Sequence, residues 1–253
     1  MDIFHHSAQL IDEWQKLATA IREGHTPCEV TGVSAIHKAH FIAALNQELS
    51  ASHGATLVIT EDEASANRLC DDINCMLSAD IAVVYPAKDF NLTPVEVSSH
   101  EYEHKRIGVL SNLCTGKPAI VIAGIEAALQ LTIPKDKLEQ FTLTIKKDEE
   151  LQTANLANNL ISAGYSRTEL VEGAGQFSLR GQIVDIFPVS EKNPVRIELW
   201  GDEIDQLNYF DVQTQRRGES LKKISIPPAQ EVLFSTPLQA IESIEAFAKT
   251  IKG

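Results

Sequence analysis

The sequence predicts an α/β protein in two parts: a larger domain on a parallel sheet, and a small α+β domain with an antiparallel sheet inserted into it. Three observations carry this prediction. Over residues 1–133, short apolar runs alternate with helical patterns, the arrangement of parallel β-α units with helices on both faces. Between Gly175 and Phe210, four period-two runs follow one another with only turn residues between them, as in an antiparallel meander. Beyond Pro227-Pro228 a short run and an amphipathic pattern lead back to the first part. The expected boundaries are 1–133, 134–222 and a return segment 223–253, which fits the size of two modest domains in 253 residues.

Composition narrows the class. Hydrophobic residues make up 43% and charged residues 23%, the balance of an ordinary globular protein. No apolar run is long enough to span a bilayer, and Met1-Asp-Ile-Phe-His-His lacks the basic start and apolar core of a signal peptide. A cytoplasmic setting without membrane contact is expected. The four cysteines, Cys28, Cys70, Cys75 and Cys114, form no C-x-x-C pair and read as reduced, mostly buried thiols. Net charge is −13, and no part of the chain is basic: 8 Lys+Arg face 17 Asp+Glu in 1–133, 11 face 15 in 134–222, and 3 face 3 in 223–253. Since cations displacing counterions drive non-specific DNA affinity, this chain is a poor DNA holder by itself.

In order, Ser7 can cap a helix whose apolar positions are Leu10, Trp14, Leu17, Ala18 and Ile21, with Gly24 as the stop. Cys28–Thr31 reads as a short strand, followed by a loop and an apolar helix through Leu49. Ala55–Ile59 is the next strand. Glu61, Asp62 and Glu63 suit the first turn of a helix to about Leu77, where carboxylates meet the positive dipole end. Asp80–Tyr85 is a strand ended by Pro86, and a loop through Pro94 leads to a helix from Ser98 to Leu113, closed by Gly116. Ala119–Ile122 is a fourth strand, and Gly124 starts a short helix.

Two stretches of this part spell known motifs. Gly32-Val-Ser-Ala-Ile-His37-Lys38-Ala39 sits between strand and helix, where the phosphate-binding pattern G-x-x-x-x-G-K-[ST] belongs. Gly32 and Lys38 are in register. His37 replaces the second glycine and crowds the loop whose N–H groups cradle phosphate, and Ala39 replaces the hydroxyl that holds Mg²⁺. The octet reads as a degenerate phosphate loop in a P-loop-NTPase-like layout. The alternative is residual ATP binding at Gly32–Lys38. His100-Glu-Tyr-Glu-His104 spells H-E-x-x-H, the helical zinc pattern. The surrounding Ser98, Ser99, Glu103, Lys105 and Arg106 suggest a solvated helix face, and His104 is the last histidine of the chain. Neither a metal site nor a catalytic residue is expected.

Pro134 marks the entry to the second part. Phe141–Ile145 is a strand, and Glu149–Ser162 an amphipathic helix ended by Gly164. Tyr165–Val171 leads into Gly-Gln-Phe-Ser-Leu-Arg-Gly-Gln-Ile-Val-Asp-Ile-Phe-Pro188, two strands meeting near Arg180-Gly181. Gly181 permits the sharp bend and Pro188 stops the second strand. Val195–Trp200 and Ile204–Phe210 complete the meander. Arg196, Glu198, Asp202, Glu203 and Asp205 read as its solvated face. Glu231–Phe234 and a helix from Leu238 to about Ile251 form the return.

The order G-Q-F-S-L-R-G-Q-I-V-D-I-F-P, then V-R-I-E-L-W-G-D-E-I-D, then F-D-V-Q-T-Q-R-R closely resembles the second domain of the UvrB-homology module. That module occurs in the excision-repair protein UvrB and in the bacterial transcription-repair coupling factors (Mfd). UvrB carries an intact P-loop and a long tyrosine-rich DNA-clamping hairpin. Here the octet is degenerate, and Pro86–Pro94 stands short at the hairpin's place. The chain therefore looks like the coupling-factor version. The resemblance implies an N-terminal, non-enzymatic piece of a longer protein, with ATP and Mg in a downstream DNA translocase. It implies docking of UvrA, contacts of RNA polymerase and DNA through other domains, and masking by the protein's own C-terminal domain. It also places Arg167, Arg180 and Phe187 at the UvrA contact. The residues alone leave open that these arginines pair internally with Asp185, Glu169 or Glu172 and that Phe187 is core. One departure stands out: UvrB has a second arginine where this chain has Ser178.

Overall fold

The computed structural model describes residues 11–49, 54–77, 79–88, 100–115, 120–234 and 237–251. The chain divides into two units, one within 1–97 and 112–130, the other within 98–111 and 131–253. Ser7, Leu10, Ser98, Ser99, Gly116 and most of the loop to Pro94 lie outside the described residues.

Unit 1 begins with α1 (Asp12–Arg22), whose Asp12 and Glu13 face the positive end of the helix dipole. Trp14 and Ala18 are buried, and Trp14 meets Phe41 edge-on at 5.5 Å between ring centroids. Phe41 belongs to α2 (Ala35–Leu49), which buries the small residues Ala39, Ala43 and Ala44. Such residues let a helix approach its neighbours closely, here α3 (Glu63–Leu77), which buries Ala66, Cys70 and Ile73. Strands β1 (Thr56–Thr60), β2 (Ala82–Tyr85) and β3 (Ile120–Gly124) form a parallel sheet in the order β1-β3-β2. Central β3 is buried along its whole length, as a parallel strand covered by helices should be. Asn74 ties α3 to β2: its Oδ1 accepts the N–H groups of Ile81 and Ala82 at 2.9 and 2.8 Å, and its Nδ2 donates to the Ala82 carbonyl at 2.9 Å. Helix α5 (Ile125–Leu129) follows β3 directly.

The expected strand Cys28–Thr31 is absent: residues 25–34 are irregular and mostly exposed. A four-residue run without a pairing partner gains no ladder hydrogen bonds, and pattern alone does not reveal whether a partner exists. The cysteines also differ from expectation, with only Cys70 buried and Cys28, Cys75 and Cys114 exposed as free thiols.

Unit 2 takes in α4 (Glu101–Cys114) through Ser111, then α6 (Lys135–Phe141), β4 (Leu143–Lys146) and α7 (Thr153–Ser162). Helix α6 is not expected from the sequence, where Pro134 marks a boundary; that proline is its N-cap residue, and its carbonyl accepts the Leu138 N–H at 2.9 Å. Six strands then run β5 (Ser166–Arg167), β6 (Gln176–Arg180), β7 (Ile183–Ile186), β8 (Val195–Trp200), β9 (Glu203–Phe210) and β10 (Arg217–Ser220), neighbouring in that order. All pairs are antiparallel except β5 with β6. The expected four-strand meander is therefore present and extended at both ends. Strand β11 (Lys223–Ile226) pairs with β4 as a separate antiparallel ribbon. Period-two alternation sends Phe177, Val184, Ile186, Val195, Ile197 and Leu207 into one core, sealed by Leu156 and Leu160 of α7. Helix α8 (Pro237–Ile251) follows, with Leu238, Ile241, Ile244 and Phe247 exposed along it.

Arg106 corrects the expectation of a solvated helix face. It is fully buried on α4, and its Nε donates to Glu231 Oε1 at 2.5 Å, with both side chains removed from solvent. The Glu231 N–H in turn donates to Glu103 Oε1 at 2.7 Å.

Candidate functional site

The hairpin β6–β7 builds the site. Its register pairs Ser178 with Asp185 and Arg180 with Ile183, and Gly181 at φ +61° makes the reversal that a side-chain-bearing residue adopts only with strain. Core and outer positions alternate along both strands, so Ser178, Arg180 and Asp185 share the face opposite Phe177, Val184 and Ile186. Next in line, β8 sets Arg196 directly opposite Asp185.

This placement makes a chain of charges. Asp185 is buried, and Arg196 grips it with two bonds, Nε to Oδ1 at 2.7 Å and Nη2 to Oδ2 at 2.9 Å. Arg180 donates Nη2 to the same Oδ2 at 2.5 Å, while its side chain stays 45% exposed. The Arg196 guanidinium lies 4.4 Å from the Phe210 ring centroid and also donates to Gln215 Oε1 at 2.8 Å. Donating these hydrogen bonds to the Asp185 carboxylate raises the Arg196 pKa above its already high ordinary value. A carboxylate this buried is held only because paired guanidinium donors offset its desolvation. The expectation that Arg196 belongs to a solvated face is thus overturned. The readable signal was the lone aspartate within Ile-Val-Asp-Ile-Phe, at the same strand parity as Arg196 across one turn.

Arg167 occupies the two-residue strand β5, paired with Phe177, and is exposed. Its guanidinium has no hydrogen bond or ion pair among the described residues. Arg167 and Arg180 line one open hollow of about 480 Å³ with Thr168, Glu169, Ser178 and Leu179. The Ser178 hydroxyl donates to the Glu169 carbonyl at 2.8 Å, joining two of the lining residues. Phe187 is not part of this lining. It follows β7, half-buried, with its N–H bonded to the Gln176 carbonyl at 2.9 Å. Of the three candidate residues, the structure brings two together and sets the third further along the same hairpin.

The other motifs fare differently. Gly32 has φ +81°, and the Ser34 hydroxyl is 2.7 Å from His37 Nδ1 on the first turn of α2. Lys38 is exposed, and Ala39, at the metal-hydroxyl position, is buried in the core beneath α2. A hollow of about 780 Å³ borders Gly32 and His37, but its walls include Trp14, Leu17, Val30 and Phe41, and Lys38 does not reach it. In H-E-x-x-H, Glu101 pairs with Lys105 at 2.8 Å, and the rings of His100 and His104 stack with centroids 6.0 Å apart. The His104 ring packs against Gly175, and burial, followed by the nearby His100, lowers its pKa below the ordinary 6.5. No cluster of three or more His, Cys, Asp or Glu able to hold a metal occurs among the described residues, and no helix among them is long and apolar enough to cross a membrane.

Residues 143–232 match the family described as the UvrB interaction domain. The chain is 29% identical over 237 residues to the transcription-repair-coupling factor of Bacillus subtilis (strain 168), covering 93% of this chain and 20% of that protein. It is 30% identical over 206 residues to the factor of Staphylococcus aureus (strain Mu50 / ATCC 700699), covering 81% of this chain and 17% of that one. The chain thus spans about a fifth of the length of the curated relatives it matches.

Proposed function

Proceeding from a UvrB interaction domain inside a homologue of the transcription-repair-coupling factors, we propose that this chain is a protein-docking module that recruits the excision-repair protein UvrA to stalled RNA polymerase. The observation that carries the reading is the hollow where Arg167 and Arg180 meet on that domain. The Arg167 guanidinium has no bonding partner among the described residues, and that of Arg180 keeps four of its five N–H groups beyond the single bond to Asp185. Forked donors of this kind match carboxylates bidentately, and arginine is prominent among interface hot spots. Phe187, on the same hairpin, supplies the adjoining aromatic area. The seat is cytoplasmic, and work on DNA belongs to an ATP-driven translocase elsewhere in the full protein. Contacts with RNA polymerase and DNA, and masking of the docking face by a C-terminal domain, belong there too.

In this reading the module has no enzyme activity and no cofactor of its own. Its first unit keeps the layout of a P-loop domain with a decayed phosphate cradle. Buried Ala39 and the bond between Ser34 and His37 support that decay over residual ATP binding at Gly32–Lys38. Calorimetric titration with UvrA, and separately with Mg-ATP, tests both points. UvrA binding, weakened about 30-fold or more by Arg167→Ala or Arg180→Ala, is expected at hot-spot strength. Heat from Mg-ATP with none from UvrA would reverse the assignment.

A further inference from the structure

Arg167 and Arg180 line the same hollow but differ in how they are held. Arg167 is exposed, and its guanidinium has no bonding partner among the described residues. Arg180 is fixed from below by Asp185, whose side chain has 0% exposure. The carboxylate is fixed in its turn: Arg196 occupies both oxygens, the Phe210 ring backs the Arg196 guanidinium, and Gln215 holds it from a third side. The charge of Asp185 is therefore matched by Arg196 before Arg180 is counted. Arg180 keeps its full positive charge and four of its five N–H groups for a partner.

We propose that Asp185 is a positioning residue for the docking arginine: with Arg196 and Phe210 behind it, it presets the orientation of the Arg180 guanidinium in the free protein. This rests on the docking role given above to Arg180. A long side chain loses rotamer freedom when a partner captures it, and fixing it beforehand removes that loss from the binding step. The opposite possibility is that Asp185 competes with the partner's carboxylates for Arg180. The two make contrary forecasts: loss of the carboxylate weakens binding in the first case and tightens it in the second.

The test is a double-mutant cycle on the whole chain, with UvrA affinity read by calorimetry and folding by circular dichroism. Asp185→Asn should weaken binding about tenfold, within the range of coupling between contacting residues. In an Arg180→Ala background the same change should have no further effect, because Asp185 acts only through Arg180. Undiminished or tighter binding by Asp185→Asn, or an undiminished loss in the Arg180→Ala background, overturns the positioning role while leaving the docking reading intact. Full-strength binding by Arg180→Ala sinks the docking reading itself. Should Asp185→Asn fail to fold, side-chain relaxation of ¹⁵N-labelled arginine in the unmutated protein decides. The Arg180 guanidinium should be ordered and that of Arg167 rotationally averaged. Equal mobility of the two refutes the inference.

Discussion

The buried pair between Arg106 and Glu231 gives the sharpest stability prediction. Arg106 is 0% exposed and the Glu231 side chain 3%, with 2.5 Å between Nε and Oε1. Arg106→Met keeps much of the apolar volume and leaves the carboxylate buried without its main partner. Breaking one side of such a pair costs about 3–5 kcal/mol, because the remaining charge cannot recover its hydration. For a protein of this size that corresponds to a fall of roughly 6–20 °C in Tm, at about 2–4 °C per kcal/mol. Removing both charges with Arg106→Met and Glu231→Met should restore most of the loss, since well-packed apolar replacements of buried pairs are often neutral. Urea denaturation of the two single variants and the double variant measures the coupling directly. A single variant within about 1 kcal/mol of the parent, or a double variant that loses the sum of the singles, would refute the assignment of a desolvated pair.

Other outcomes follow from the same geometry. His104 has a folded pKa below the ordinary 6.5 because it is buried. The unfolded chain takes up the proton first, so stability present above pH 6.5 is lost as pH falls through the lowered value. Melting curves between pH 7.5 and 5 should show this decline, and His104→Gln should flatten it. Asn74→Ala strips three hydrogen bonds that join α3 to β2 and should destabilise by about 2–3 kcal/mol, read from denaturant midpoints. Gly175→Ala would force a methyl group to 2.8 Å from the His104 ring at φ +80°, and a loss of more than about 1 kcal/mol is expected in the same assay.

Much of the fold was legible because its signals are local. The runs of β6, β7, β8 and β9 alternate cleanly, and each turn carries its own residue signature, so the meander could be traced without tertiary knowledge. Arg167 and Arg180 could be named from the resemblance, and their common hollow follows from the short pairing of β5 with β6. What escaped depends on distant partners. Whether Cys28–Thr31 is a strand is decided by a neighbour that the run does not specify. Arg106 looks like any charged residue on a polar helix until Glu231, 125 positions later, comes to meet it. Arg196 reads as solvated until register sets it across from Asp185. Strand β10 carries no apolar pattern to announce it: all four of its residues are exposed.

The brevity of β5 has a further consequence. Its pairing with β6 covers two residues, flanked by main-chain bonds from the Ser166 N–H to the Gly175 carbonyl and from the Thr168 N–H to the Phe177 carbonyl. A border that short offers no template for an incoming strand, which guards the free protein against edge-to-edge stacking. Whatever settles beside Arg167 and Arg180 must therefore read protruding guanidinium forks and not add a rung to the ladder. Selectivity at this border then rests on a few side chains, each replaceable without disturbing the sheet that carries them.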